Sequence, residues 1–172
     1  MKKDSIDRLI DEHVWADYPG LDVEVEGIVN RINVLAKYLK RSFDETASEF
    51  GINKGELDVL KLLRRAEPPH RMSPSQLADR LHLSSGAMTN RLDRLETQGL
   101  VGRLPDPSDR RGVLVELTDK GHEIFRSAIE RQIEKEKVLI APLEASERDE
   151  LSRALRKLIV EIESHPAFPW KH

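Results

Sequence analysis

Between residues 84 and 94 the chain reads SSGAMTNRLDR, which gathers the hydroxyls of Ser84, Ser85 and Thr89, the amide of Asn90 and the guanidinium of Arg94 along one short stretch. Such groups hydrogen-bond base edges and phosphates in duplex DNA, and the small residues among them permit close approach. If a helix begins there, its free N–H groups add an attraction for phosphate. The plainer alternative is that Ser, Thr and Asn do no more than cap the helix. A second cluster, Asp109-Arg110-Arg111-Gly112, brings two guanidinium groups together on what reads as a turn. It is either a solvated turn or a pair of phosphate or minor-groove contacts. In the second case Asp109 holds one arginine by a carboxylate–guanidinium pair, and a short acidic side chain also suits turn formation.

The elements that must position these groups can be read from caps and periodicity. Ser73-Pro74-Ser75-Gln76 has an N-cap, a proline at the first helical position and a glutamine at the third, so a short helix opens there. The stretch from His82 to Gly86 reads as a turn and a second cap, and the next helix runs to about Gln98 with Gly99 beyond its end. Two short helices about a tight turn are the sequence form of a helix-turn-helix. Residues 100–104 and 113–117 are strand-like and separated by a Pro-, Asp-, Ser- and Gly-containing stretch, which predicts a hairpin with Arg110 and Arg111 at its tip.

Longer helices flank this region. Ile6, Leu9, Ile10, His13 and Val14 predict a leading helix over 4–16, broken by Tyr18-Pro19-Gly20. From Val23 to Phe50 an apolar stripe (Ile28, Ile32, Leu35, Leu39, Phe43, Phe50) predicts a helix longer than a small domain needs, suited to a partner helix as well as to the core. Asn53 and Glu56 form a capping box ahead of Leu57, Leu60 and Leu63, and Pro68-Pro69 stops that helix. Thr118 caps a long helix reaching Pro142, and a last helix starts near Ser146. The expected fold class is mainly α with a small β-hairpin. Its expected layout is N-terminal helices over 1–52, a winged helix-turn-helix over 53–118, C-terminal helices over 119–163 and a tail over 164–172.

The 172 residues are 38% hydrophobic, 34% charged and 5% aromatic, a composition that favours amphipathic helices over a sandwich of short strands. The formal net charge is −3, which argues against an indiscriminate polyanion binder. Its distribution matters more. Residues 70–115 hold seven arginines, no lysine and five acids, a net of +2, so the remainder is −5. Contact with nucleic acid is expected through this segment. There is no cysteine, which removes disulfides, thiol sensing and a cysteine nucleophile. The charged N-terminus and the lack of a long apolar run predict a soluble cytoplasmic protein that meets no membrane.

The run from Ser73 to Gly121 resembles the winged helix-turn-helix core of the MarR family, including the Asp-x-Arg of the wing (Asp109, Arg111) and the Leu-Thr-x-x-Gly that follows (Leu117 to Gly121). The resemblance covers nearly the whole chain except the tail. It implies a homodimer, with interlocking N- and C-terminal helices as the dimerisation elements. A two-fold molecule predicts a near-palindromic operator with half-sites about 10 base pairs apart, or a multiple. Repression by steric occlusion is the expected sign.

One branch, the urate-responsive regulators, is similar in more detail: Trp15, Asp58, Arg91 and Arg103 fill its ligand positions. The implied ligand is a small anion such as urate, xanthine or another purine. An aromatic face and a guanidinium suit a planar anion, and Asp58 is expected to pair with an arginine of the DNA-binding lobe when the site is empty. The acids Asp11, Glu12, Asp17 and Asp22 lie close in sequence to Trp15 and disfavour an anion if they face the pocket. Simpler readings exist for three of the four: Trp15 as a helix anchor, Asp58 as an exposed helix residue and Arg91 as a phosphate contact.

Three alternatives stand beside this. A MarR-type regulator of aromatic acids or phenolic compounds keeps the wing and drops the roles of Trp15 and Asp58. A helical interaction protein without DNA leaves the basic hairpin unexplained. An enzyme is disfavoured: the six histidines show no metal-ligand spacing, there is no glycine-rich phosphate loop or Gly-x-Ser-x-Gly elbow, and no cofactor is implied.

Overall fold

The computed structural model describes residues 3–11 and 20–165. They fall into two compact units with the boundary between Ile129 and Glu130.

The first unit begins with α1 (Ser5–Asp11) and α2 (Val23–Glu49). The leading helix was expected to run to 16, and residues 12–19 lie outside the described ones. Arg31 of α2 ties α1 down, donating from Nε to Asp4 at 2.9 Å and from Nη2 to Asp7 at 2.6 Å. The Asp7 backbone N–H, followed by the Arg31 guanidinium, holds the Asp4 carboxyl below the usual carboxylate range. Asp22 caps α2, and Gly51 follows its end at a φ of +71°. The residues that α2 buries are small or polar (Gly27, Ser42, Thr46 and Ala47), while Ile28, Ile32 and Leu35 of its predicted stripe remain 39–50% exposed.

The capping box of Asn53 and Glu56 opens α3 (Lys54–Arg65), as its sequence predicts. Ser73 and Gln76 form a second box with Pro74 in the first turn, opening α4 (Pro74–Arg80). Ser84 caps α5 (Ser85–Thr97), which ends at Gln98 with Gly99 at a φ of +70°. Strands β1 (Val101–Pro105) and β2 (Val113–Leu117) pair antiparallel, with Val101 opposite Leu117 and Arg103 opposite Val115. Met72 adds a single bridge to the far side of Val115, a long-range pairing that no local pattern signals.

The core lies among α3, α4, α5 and the hairpin. Leu57, Leu60, Leu63, Leu77, Met88, Leu92, Leu95 and Val115 are buried there, and Ala128 of α6 (Asp119–Ile140) joins the same cluster. A fully buried aliphatic side chain of this size contributes roughly 2 kcal/mol relative to an exposed one. The interior therefore fixes α5 by its Met88, Leu92 and Leu95 face and turns the opposite face to solvent.

The second unit holds the end of α6 and α7 (Ala145–Ser164). A box between Glu144 and Glu147 caps α7, one residue before the predicted start. This helix buries no residue: Leu151, Leu155, Leu158, Ile159 and Ile162 recur at helical spacing and are all exposed. Among the described residues, no helix is long and apolar enough to cross a membrane.

Candidate nucleic-acid interface

The turn from α4 into α5 leaves Ser84, Ser85, Thr89 and Asn90 exposed. Ser84 Oγ accepts the Ala87 N–H at 3.3 Å, so its capping role is met. Thr89 donates its hydroxyl proton to the Ser85 carbonyl at 2.9 Å, which leaves the oxygen as an acceptor facing out. Among the described residues nothing bonds the Asn90 amide, so its donors and acceptor are all available.

Arg94, also exposed, has a partner that sequence spacing does not announce. Its Nε lies 2.9 Å from Oε1 of Glu56, a carboxylate with no solvent exposure. The pair is electrostatic and not aligned as a hydrogen bond, so this oxygen remains the one buried side-chain atom without a hydrogen-bond partner among the described residues. The other carboxylate oxygen accepts the Asn53 N–H at 2.8 Å in the capping box. Glu56 thus serves α3 and α5 at once.

The hairpin tip is shaped by its acids. Asp109 Oδ1 accepts the Arg111 backbone N–H at 2.9 Å, and the Asp109 carbonyl accepts from Gly112 at 2.8 Å. This replaces the expected guanidinium pair: the short carboxylate closes on its own backbone, as turn aspartates do. Asp106 does likewise, and the Ser108 hydroxyl and backbone N–H hold its carboxyl below the usual range. Arg110 and Arg111 are exposed, and among the described residues no carboxylate pairs with either guanidinium.

Of the four residues matched to an anion site, Trp15 lies outside the described residues. Arg91 reaches the first turn of α3, donating from Nη1 to the Gly55 carbonyl at 3.0 Å, three residues before Asp58 in the chain. Asp58 does not take an arginine as expected. It accepts Lys54 Nζ at 2.7 Å, because the i,i+4 spacing puts that ammonium nearest. Gly55 makes room for Arg91, since a Cβ there would fall 2.6 Å from the Arg91 Cζ. Arg103 points elsewhere, to Asp93 at 2.6 Å and Glu96 at 2.7 Å on α5.

The joint between α5, β1 and α6 was legible only as a motif. Thr118 Oγ1 donates to the Gly99 carbonyl at 2.7 Å and accepts the Gly121 N–H at 3.0 Å. Lys120 Nζ donates to the Gln98 carbonyl at 2.8 Å, which places a cation at the C-terminal end of α5. Among the described residues, no group of three or more His, Asp or Glu side chains is placed to hold a metal ion.

Residues 52–113 match the MarR family model. The chain is 33% identical over 147 residues to the HTH-type transcriptional regulator PecS of Dickeya dadantii, covering 86% of each. It superposes on the crystal structure of apo wild-type MarR from E. coli with a TM-score of 0.65 at 32% identity, over 75% of this chain and 93% of that one. A mutant of the same E. coli protein complexed with operator DNA gives 0.60 at 32% identity, over 78% and 95%.

Proposed function

This chain belongs to the MarR family of winged-helix transcription regulators, and from that premise we propose that it binds a palindromic DNA operator as a homodimer, represses from it, and leaves it when a small anion binds. It is not an enzyme, since the proteins it resembles are named as transcriptional regulators.

The observation that carries the DNA reading is the outer side of α5. Uncharged hydrogen-bonding groups (Ser84, Ser85, Thr89, Asn90) lie exposed at its N-terminal end, and the next element is a hairpin whose tip carries two exposed arginines with no carboxylate partner among the described residues. In this reading the uncharged α5 groups meet base edges and phosphates in the major groove, Arg94 joins them only by leaving Glu56, and Arg110 and Arg111, on a turn shaped by Asp109, meet the backbone or the minor groove. The E. coli MarR mutant solved in complex with operator DNA supports a DNA-binding role for this fold.

The homodimer reading rests on the exposed apolar rows of α2 and α7, because helices that leave Ile28, Ile32 and Leu35, or Leu151, Leu155 and Leu158, in water are expected to find a partner. The test is to recover bound duplexes from a randomised library and to sediment the complex. The expected result is a palindromic consensus with half-sites about 10 base pairs apart and two chains per site. Failure to bind any duplex, or one chain per site, overturns it.

For the ligand, the supporting observation is Arg91 laid over Gly55 on α3, the helix that also carries Asp58. A planar anion such as urate, xanthine or another purine would draw the guanidinium from a neutral carbonyl into a charge-assisted pair, with Trp15 as the stacking face. Arg103 joins such a site only by leaving Asp93 and Glu96. Calorimetric titration with urate and xanthine is expected to show saturable binding that Arg91→Ala weakens at least about tenfold, the loss of one charge-assisted contact. Absence of saturable heat from either purine overturns this assignment, and binding of an aromatic acid instead replaces it.

A further inference from the structure

Resting on the DNA-binding reading above, the geometry points to Arg103 as a positioning residue for α5, one that cancels the two carboxylates on the exposed side of this helix and ties the helix to the hairpin.

Helix α5 carries four charged side chains: Arg91, Asp93, Arg94 and Glu96. Both cations are drawn toward α3, Arg91 by the Gly55 carbonyl and Arg94 by the buried Glu56 carboxylate. Both anions stay out in solvent, with the Asp93 side chain 53% exposed and that of Glu96 41%. Standing three residues apart, they share one helical face, and a single guanidinium fork from β1 reaches both. Arg103 Nη2 donates to Asp93 at 2.6 Å, and Nη1 donates to Glu96 at 2.7 Å. The chain reverses at Gly99 between the two elements, so the first strand of the hairpin necessarily passes beside the helix it follows.

The consequence is electrostatic. DNA presents one negative charge per roughly 1.7 Å of its axis, so two bare carboxylates on an approaching helix would meet a dense row of like charge. With Arg103 in place, every charge on α5 has a protein partner or carbonyl, and the neutral Ser85, Thr89 and Asn90 remain to face the bases. The same fork holds the hairpin, with Arg110 and Arg111, at a set offset from α5.

The test measures fluorescence anisotropy on a duplex recovered by the wild-type protein from a randomised library. Arg103→Gln is expected to weaken binding at least about tenfold, since like-charge juxtaposition across an interface is costly. The pair Asp93→Asn with Glu96→Gln is expected to bind at least as tightly as wild type. In that background Arg103→Gln should cost less than about twofold, a coupling that a thermodynamic cycle isolates. Equal losses in both backgrounds would make Arg103 a direct phosphate contact, and no loss in either would leave it to the ligand site alone; each result overturns the inference while sparing the DNA reading. A wild-type protein that recovers no duplex overturns the DNA reading, and the inference goes with it.

Discussion

Replacing Gly121 by alanine is expected to cost about 3 kcal/mol or more of stability, the largest single effect on folding that the structure implies outside the leucine core. A Cβ at this position would overlap the carbonyl oxygen of Leu100 and sit 3.0 Å from its carbonyl carbon. Both atoms are backbone, so no rotamer change relieves the overlap. Leu100 cannot retreat, because its own N–H donates to the Leu95 carbonyl and its carbonyl accepts the Thr118 N–H. The first turn of α6 must therefore lift away, and with it the Thr118 and Lys120 bonds to Gly99 and Gln98. Urea unfolding reads the change as a lower midpoint at an unchanged slope. A loss under about 1 kcal/mol would show that this turn moves freely and that the close approach is not required.

Gly55 makes a useful contrast. The atoms in the way of a Cβ there belong to the far end of Arg91, a flexible side chain that can swing aside. The two glycines look alike in the sequence, and only the identity of the opposing atoms separates a fold requirement from a local accommodation.

Local chemistry was legible wherever cause and effect lie within a few residues: both predicted capping boxes, Pro74 in the first turn of α4, the glycines at 51 and 99, and the two strands. The mainly helical fold with its hairpin followed, and the outer side of α5 was marked by the same short stretch that caps it. What failed to show was charge pairing across the fold. Asp58 was expected to hold an arginine, but Lys54 stands one turn away on the same helix and wins by proximity. Arg103 turns from the expected ligand set to two acids brought beside it by a chain reversal. Arg94 finds a carboxylate 38 positions earlier, whose burial no capping pattern foretells. Each of these depends on how helices lie against one another, which a one-dimensional pattern does not encode.

The largest expected effect on DNA binding belongs to the double substitution Arg110→Ala with Arg111→Ala. Neither guanidinium has a carboxylate partner among the described residues, and the turn beneath them is held by the Asp106 and Asp109 carboxylates and by backbone bonds, so alanine leaves the tip intact. Stability should therefore change by less than about 0.5 kcal/mol, as at other exposed sites. Affinity should fall steeply. Each phosphate neutralised contributes about 0.9 to the slope of log K against log salt, and a dimer presents two tips with two arginines each. The slope is expected to flatten by roughly 3 to 4, with a loss on the order of a hundredfold near physiological salt. Lysine at both positions separates the two ways these groups could act: a phosphate contact needs only a cation and is largely restored, whereas a narrow minor groove read by planar guanidinium groups is not. An unchanged salt slope in the alanine variant would mean that the tip never reaches the duplex, and α5 would then have to carry the contact alone.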